Sequence, residues 1–110
     1  MKMFSMHVES AERVELNDGD YVEYTHVHGE LTVNGVALLH SVVVHEGGIL
    51  KLSTFRGISH ILVKDGGKIV IPRSAAKGFD RYEGKIRITN NNGCEALVHD
   101  ETCIEFTKEA

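Results

Sequence analysis

The sequence predicts an all-β chain wound as a short, single-domain β-solenoid, and three observations carry that expectation. Apolar residues recur as pairs two positions apart. The pairs return at a near-constant interval of 17–19 residues. Eleven glycines against one proline suit repeated tight turns between short strands.

In chain order the pairs are Val14/Leu16, Leu31/Val33, Leu50/Leu52, Ile69/Ile71, Ile86/Ile88 and Ile104/Phe106. Residues at i and i+2 point to one face of a strand. Six stacked pairs predict about six coils of roughly 18 residues, each displaced from the last by about one 4.8 Å strand spacing. A second series lies eight residues earlier, at Met6/Val8, Val42/Val44, Ile61/Val63 and Ala96/Val98. It is missing in the coils of Leu31 and Ile86.

The turns repeat as well. Val44-His45-Glu46-Gly47-Gly48-Ile49-Leu50-Lys51-Leu52 matches Val63-Lys64-Asp65-Gly66-Gly67-Lys68-Ile69-Val70-Ile71 at an offset of 19, and Gly29-Glu30-Leu31-Thr32-Val33 falls on the same frame. Gly-Gly after an acid predicts turns with positive φ. Val98 to Phe106 repeats the pattern without the glycines.

Pro72 to Tyr82 breaks the series. Proline donates nothing to a central ladder, and Ser74-Ala75-Ala76-Lys77 before Gly78 favours one turn of helix. An excursion loop is expected over 72–82. Asn90-Asn91-Asn92-Gly93 is a further turn signal.

The central repeats, from Gly29 to Ile71, resemble those of AIDA-type autotransporter adhesins, in which V-x-x-G-G-x-[LI]-x-V units build β-solenoids. The resemblance implies a coil architecture and no adhesive role. A second resemblance implies a different fold. Gly19 to Glu30, with His26, His28 and Glu30, is similar to the first half of a cupin metal motif. Gly66-Gly67-Lys68-Ile69-Val70-Ile71-Pro72 is similar to the turn that opens the second half. Here Glu30 follows His28 too soon, and no histidine follows Pro72 until His99. The cupin resemblance implies a small β-barrel or sandwich with metal at His26, His28 and Glu30.

At 110 residues the chain fits one domain, 1–110. A net charge of -4 does not favour nucleic acid. No apolar run is long enough to span a membrane, and no signal peptide is evident. A cytoplasmic protein with Cys94 and Cys103 as reduced thiols is expected.

Arg73 to Arg87 holds Arg73, Lys77, Arg81, Lys85 and Arg87 against Asp80 and Glu83, a net +3. Such a segment suits an acidic partner. Seven histidines are many for this length. At an offset of 19, His26 and His45 share one column with Lys64 and His99, and His28 lies beside it with Glu46 and Asp65. His26, His28 and His45 are therefore the candidate ligands for a borderline metal, or an outward polar ladder. Ser41 beside His40 and Ser59 beside His60 point to opposite strand faces, so neither makes a nucleophile and base.

These readings converge on a non-enzymatic protein-interaction module without a cofactor. It would be a small cytosolic inhibitor or adaptor, such as phages and mobile elements carry, and homo-oligomerisation would cover its open sheet edges. The competing readings are a cupin-like metal enzyme or ligand-binding barrel, and a piece of a larger adhesin.

Overall fold

A computed structural model describes residues 1–107. Its described residues form strands β1 (Lys2–Val8), β2 (Arg13–Leu16), β3 (Tyr21–Val27), β4 (Glu30–Val33), β5 (Leu38–Val44), β6 (Ile49–Leu52), β7 (Ile58–Val63), β8 (Lys68–Pro72), β9 (Gly78–Tyr82), β10 (Lys85–Thr89), β11 (Glu95–Val98) and β12 (Ile104–Thr107). One sheet has the order β1-β3-β5-β7-β11-β10-β9, the other β12-β8-β6-β4-β2. Odd strands from β1 to β7 pair in parallel, as do the even strands that follow them. This is a β-solenoid, and the barrel or sandwich alternative is not the architecture adopted.

The alternating pairs do stack. Val14 pairs with Leu31, Leu31 with Leu50, Leu50 with Ile69, and Ile69 with Ile104. Leu31, Leu50 and Ile69 are fully buried, and Val14 and Ile104 pack against the core from the ends of the row. The second series fills the opposite wall: Val8, Val27, Val44, Val63 and Val98 form one continuous column. The coil of Leu31 supplies Thr25 to this wall, paired with Met6 and Val42. Its hydroxyl is buried without a hydrogen-bond partner.

The coil count differs from the expected six. Four consecutive coils run from β1 to β8, and β11 with β12 adds a further strand pair. Ile86 and Ile88 do not belong to the row of Val14. They lie on β10, antiparallel to β11, with Ile86 opposite Val98 and Ile88 opposite Ala96. An i, i+2 apolar pair marks any half-buried strand and carries no information about its direction. The detour between Ile69 and Ile104 happens to be about two coils long, so a hairpin took the place of a coil in the count.

The excursion is also longer than 72–82. Arg73–Ala75 forms one 3-10 turn, as the composition suggested. Residues 78–82, expected as loop, are β9, which pairs antiparallel with β10. Glu83 and Gly84 both take positive φ, at 51° and 79°, as a two-residue hairpin turn of matching twist requires.

The glycine turns divide their labour. Gly47 and Gly66 have φ of +83°. Gly48 and Gly67 do not need positive φ; Gly48 needs the absence of a Cβ, and at Gly67 a Cβ would be tight, 3.0 Å from the carbonyl oxygens of Val44 and His45. A Cβ on Gly48 would lie 2.2 Å from the carbonyl oxygen of Val27, and one on Gly29 2.3 Å from that of Glu9. Gly29, Gly48 and Gly67 are one stacked column, joined by hydrogen bonds from Ile49 N to Gly29 O (2.8 Å) and Lys68 N to Gly48 O (3.0 Å).

Candidate functional site

The C-terminal end of the solenoid is asymmetric. Beyond β11 the first sheet continues through β10 and β9, whereas the second stops at β12. Among the described residues β12 is the last strand of its sheet, and two strands overhang that edge. Directly opposed residues share a face. Ile86 and Ile88 are buried on the inner face, and their partners Arg81 and Phe79 share it. Phe79 meets Phe106 edge-on, with ring centroids 5.9 Å apart. Arg81 donates to Glu101 at 3.0 Å. The Arg73 guanidinium covers Phe106, 4.0 Å from its centroid. Between hairpin and last strand lies a cleft of about 310 Å³, lined by Arg73, Phe79, Ile86, Glu101, Ile104 and Phe106. Its apolar walls and open backbone edge suit binding of an extended segment.

The five basic residues of the excursion do not gather into one patch. Arg81 faces inward to Glu101. Arg87 faces outward, donating to Asp80 through Nε (3.1 Å) and Nη2 (2.6 Å) while lying over Tyr82. That bidentate pair holds the Asp80 carboxyl below its ordinary range. Lys85 lies on the same face as Arg87, and Lys77 is exposed. Arg73 alone of the five lines the cleft. Phe79 and Glu101 escaped sequence reasoning, and Ile104 and Phe106 were read as a stacking pair without their place in the cleft. The signal that could have found them is Glu83-Gly84 between two alternating segments, a hairpin cue.

The histidines cluster on a different corner. The spacing between β3 and β5 is 17, so Val27 faces Val44 and the column of His45 leads to His28, not His26. His26 belongs with His7 and Val43. The rings nevertheless converge. His7 stacks on His26 at 4.9 Å, His28 on His45 at 4.2 Å, and His26 Nδ1 lies 3.0 Å from His45 Nε2. Among the described residues, histidine ion pairs belong to His99 alone. His26 and His45 therefore titrate below the ordinary 6.5: burial contributes most, then the neighbouring imidazoles and Lys64. A further ring ladder, Phe4–Tyr24–His40–His60, runs along the outer face of the long strands with centroids 5.4, 6.2 and 6.0 Å apart.

No family model, curated protein or solved structure matches this chain. Among the described residues, no helix is long and apolar enough to cross a membrane. Cys94 and Cys103 are free and buried.

The imidazole cluster gives stability a direction with pH. A group with a lowered folded-state value binds fewer protons folded than unfolded, so stability rises with pH. The contribution of His26 and His45 is complete above about 6.5 and is lost as pH falls through that value toward the lower folded ones. Urea midpoints are expected to drop between pH 7.5 and pH 5. In His26→Gln/His45→Gln the drop is expected to shrink, and an unchanged drop would assign the acid sensitivity to other groups.

Proposed function

We propose that the chain is a non-enzymatic, cytosolic protein-interaction module, an adaptor or small inhibitor. In this reading it receives an extended segment of a partner protein at the C-terminal end of the solenoid. The observation that supports it is the two-strand overhang beside the free edge of β12. A segment laid along β12 would satisfy that edge with main-chain hydrogen bonds. Every second side chain would drop between Phe79, Ile86 and Phe106. Arg73 at the mouth makes no ion pair among the described residues and favours a carboxylate on the segment.

Selection from a library of short random peptides tests this. Enrichment of alternating apolar residues with a flanking acid is expected. Phe79→Asp and Phe106→Asp are expected to weaken the selected peptide at least about tenfold by fluorescence anisotropy, equivalent to about 1.4 kcal/mol. His40→Gln, on the distant ring ladder, serves as the unchanged control. No enrichment, or affinity that survives both aspartates, overturns the reading. Light scattering adds the competing occupant: a dimer that dissociates in Phe79→Asp reassigns the cleft to a second copy of the chain.

A further inference from the structure

We propose that Asp65, His99 and Asp100 form a divalent-cation site that ties the last strand pair to the coil before it. The residues come from two turns far apart in sequence. Asp65 lies in the turn between β7 and β8, and His99 and Asp100 lie between β11 and β12. The ladder brings the turns together, because Val63 pairs with Val98 and His99 N donates to Val63 O at 3.0 Å. Among the described residues, this is the set of three ligand-type side chains whose donor atoms all lie within 4.8 Å of one another.

The distances leave room for an ion between the three groups. His99 Nε2 lies 3.8 Å from Asp65 Oδ1 and 3.8 Å from Asp100 Oδ2. Both are too long for hydrogen bonds. A triangle with these two sides, and a third no longer than 4.8 Å, leaves a short path to a common centre. For a third side between 3.8 and 4.8 Å, that centre lies about 2.2–2.5 Å from each donor, in the range of metal–nitrogen and metal–oxygen bonds.

Asp100 is held for the task. Its Oδ1 accepts from Thr102 N at 3.0 Å and from Thr102 Oγ1 at 2.5 Å, which leaves Oδ2 toward His99. One imidazole and two carboxylates suit a borderline divalent ion such as zinc, with water completing the shell. The ion would close a loop that contains the whole β9–β10 excursion. It therefore holds β11 and β12 on the stack independently of what the cleft binds.

Calorimetric titration of the full chain, purified without a polyhistidine tag, with zinc chloride tests the site. One saturable site is expected, weakened at least about tenfold in Asp65→Asn and in His99→Gln. Zinc is also expected to raise the wild-type melting temperature and to leave that of Asp65→Asn unchanged. Asp65 is exposed, so its variant folds, which far-UV circular dichroism checks. Binding that survives both changes, or that is lost in His26→Gln/His45→Gln instead, overturns the proposal. Absence of a saturable site overturns it as well.

Discussion

Gly48→Ala is expected to destabilise the protein by about 3 kcal/mol or more, while Gly47→Ala costs about 1 kcal/mol. The two glycines are adjacent and identical in sequence, yet they serve different requirements. Gly47 holds a φ of +83° in open space, so a methyl group there meets only the intrinsic penalty of the left-handed region. Gly48 lies in the stacked column, where a Cβ would sit 2.2 Å from Val27 O and 3.0 Å from Val27 C. Both obstacles are backbone, and backbone there cannot yield without disturbing the ladder. Val27 O accepts from His45 N at 2.9 Å, and Gly48 O accepts from Lys68 N at 3.0 Å. A methyl at Gly48 therefore pushes one coil away from the next. For a domain whose total stability is about 5–15 kcal/mol, that is a large fraction. Urea midpoints of the two variants measure the contrast. Equal midpoints would mean that the column tolerates a side chain and that turn geometry alone explains the Gly-Gly repeats.

The contrast shows what was readable in the chain. Val14, Leu31, Leu50, Ile69 and Ile104 were legible as a row because burial of one strand face forces a period of two, and because coil length forces a period near 18. Ile86 was not separable from them. Its pair has the same local chemistry, and its position is set by a turn at Glu83-Gly84 whose significance emerges only when both flanking strands are recognised. The histidine column slipped for a related reason. The coil between β3 and β5 is two residues shorter than its neighbours, and a constant period of 19 placed His26 where His28 stands. A strand register that moves by two keeps every side chain on its face, so the core pattern gave no warning. The cleft was harder still. Its walls come from β9, β10 and β12, and their meeting depends on the hairpin folding back over the sheet edge. The metal-type cluster of Asp65, His99 and Asp100 was half visible. An offset of 19 puts Asp65 and His99 in neighbouring columns, but the 35-residue offset between their coils hides that their turns adjoin.

Phe55→Ala is expected to cost about 3–5 kcal/mol and to loosen the excursion from the solenoid. Phe55 lies in the loop between β6 and β7 and is 1% exposed, the largest of the fully buried side chains. It belongs to no alternating pair, which is why the periodicity passed over it. Truncation removes the one aromatic ring among the buried core residues and leaves a cavity its stiff β-strand walls cannot fill. The backbone at the same residue makes a second connection. Phe55 O accepts from Asn90 Nδ2, and Asn90 Oδ1 accepts from Asn92 N at 2.9 Å and Cys94 N at 3.1 Å. One amide side chain thus fixes the turn between β10 and β11 and tethers it to the loop between β6 and β7. That turn sets the return of the hairpin onto the stack, and hence the overhang above β12. Asn90→Ala removes the tether without opening the core, at about 1–2 kcal/mol. Hydrogen exchange separates the two effects. Asn90→Ala is expected to speed exchange at the Asn92 and Cys94 amides and to spare Leu50. Phe55→Ala is expected to lower protection across β6 and β7 as well. Unchanged exchange at Asn92 and Cys94 in the Asn90 variant would show that the hairpin is held by its strand pairing alone, and that the cleft does not depend on this junction.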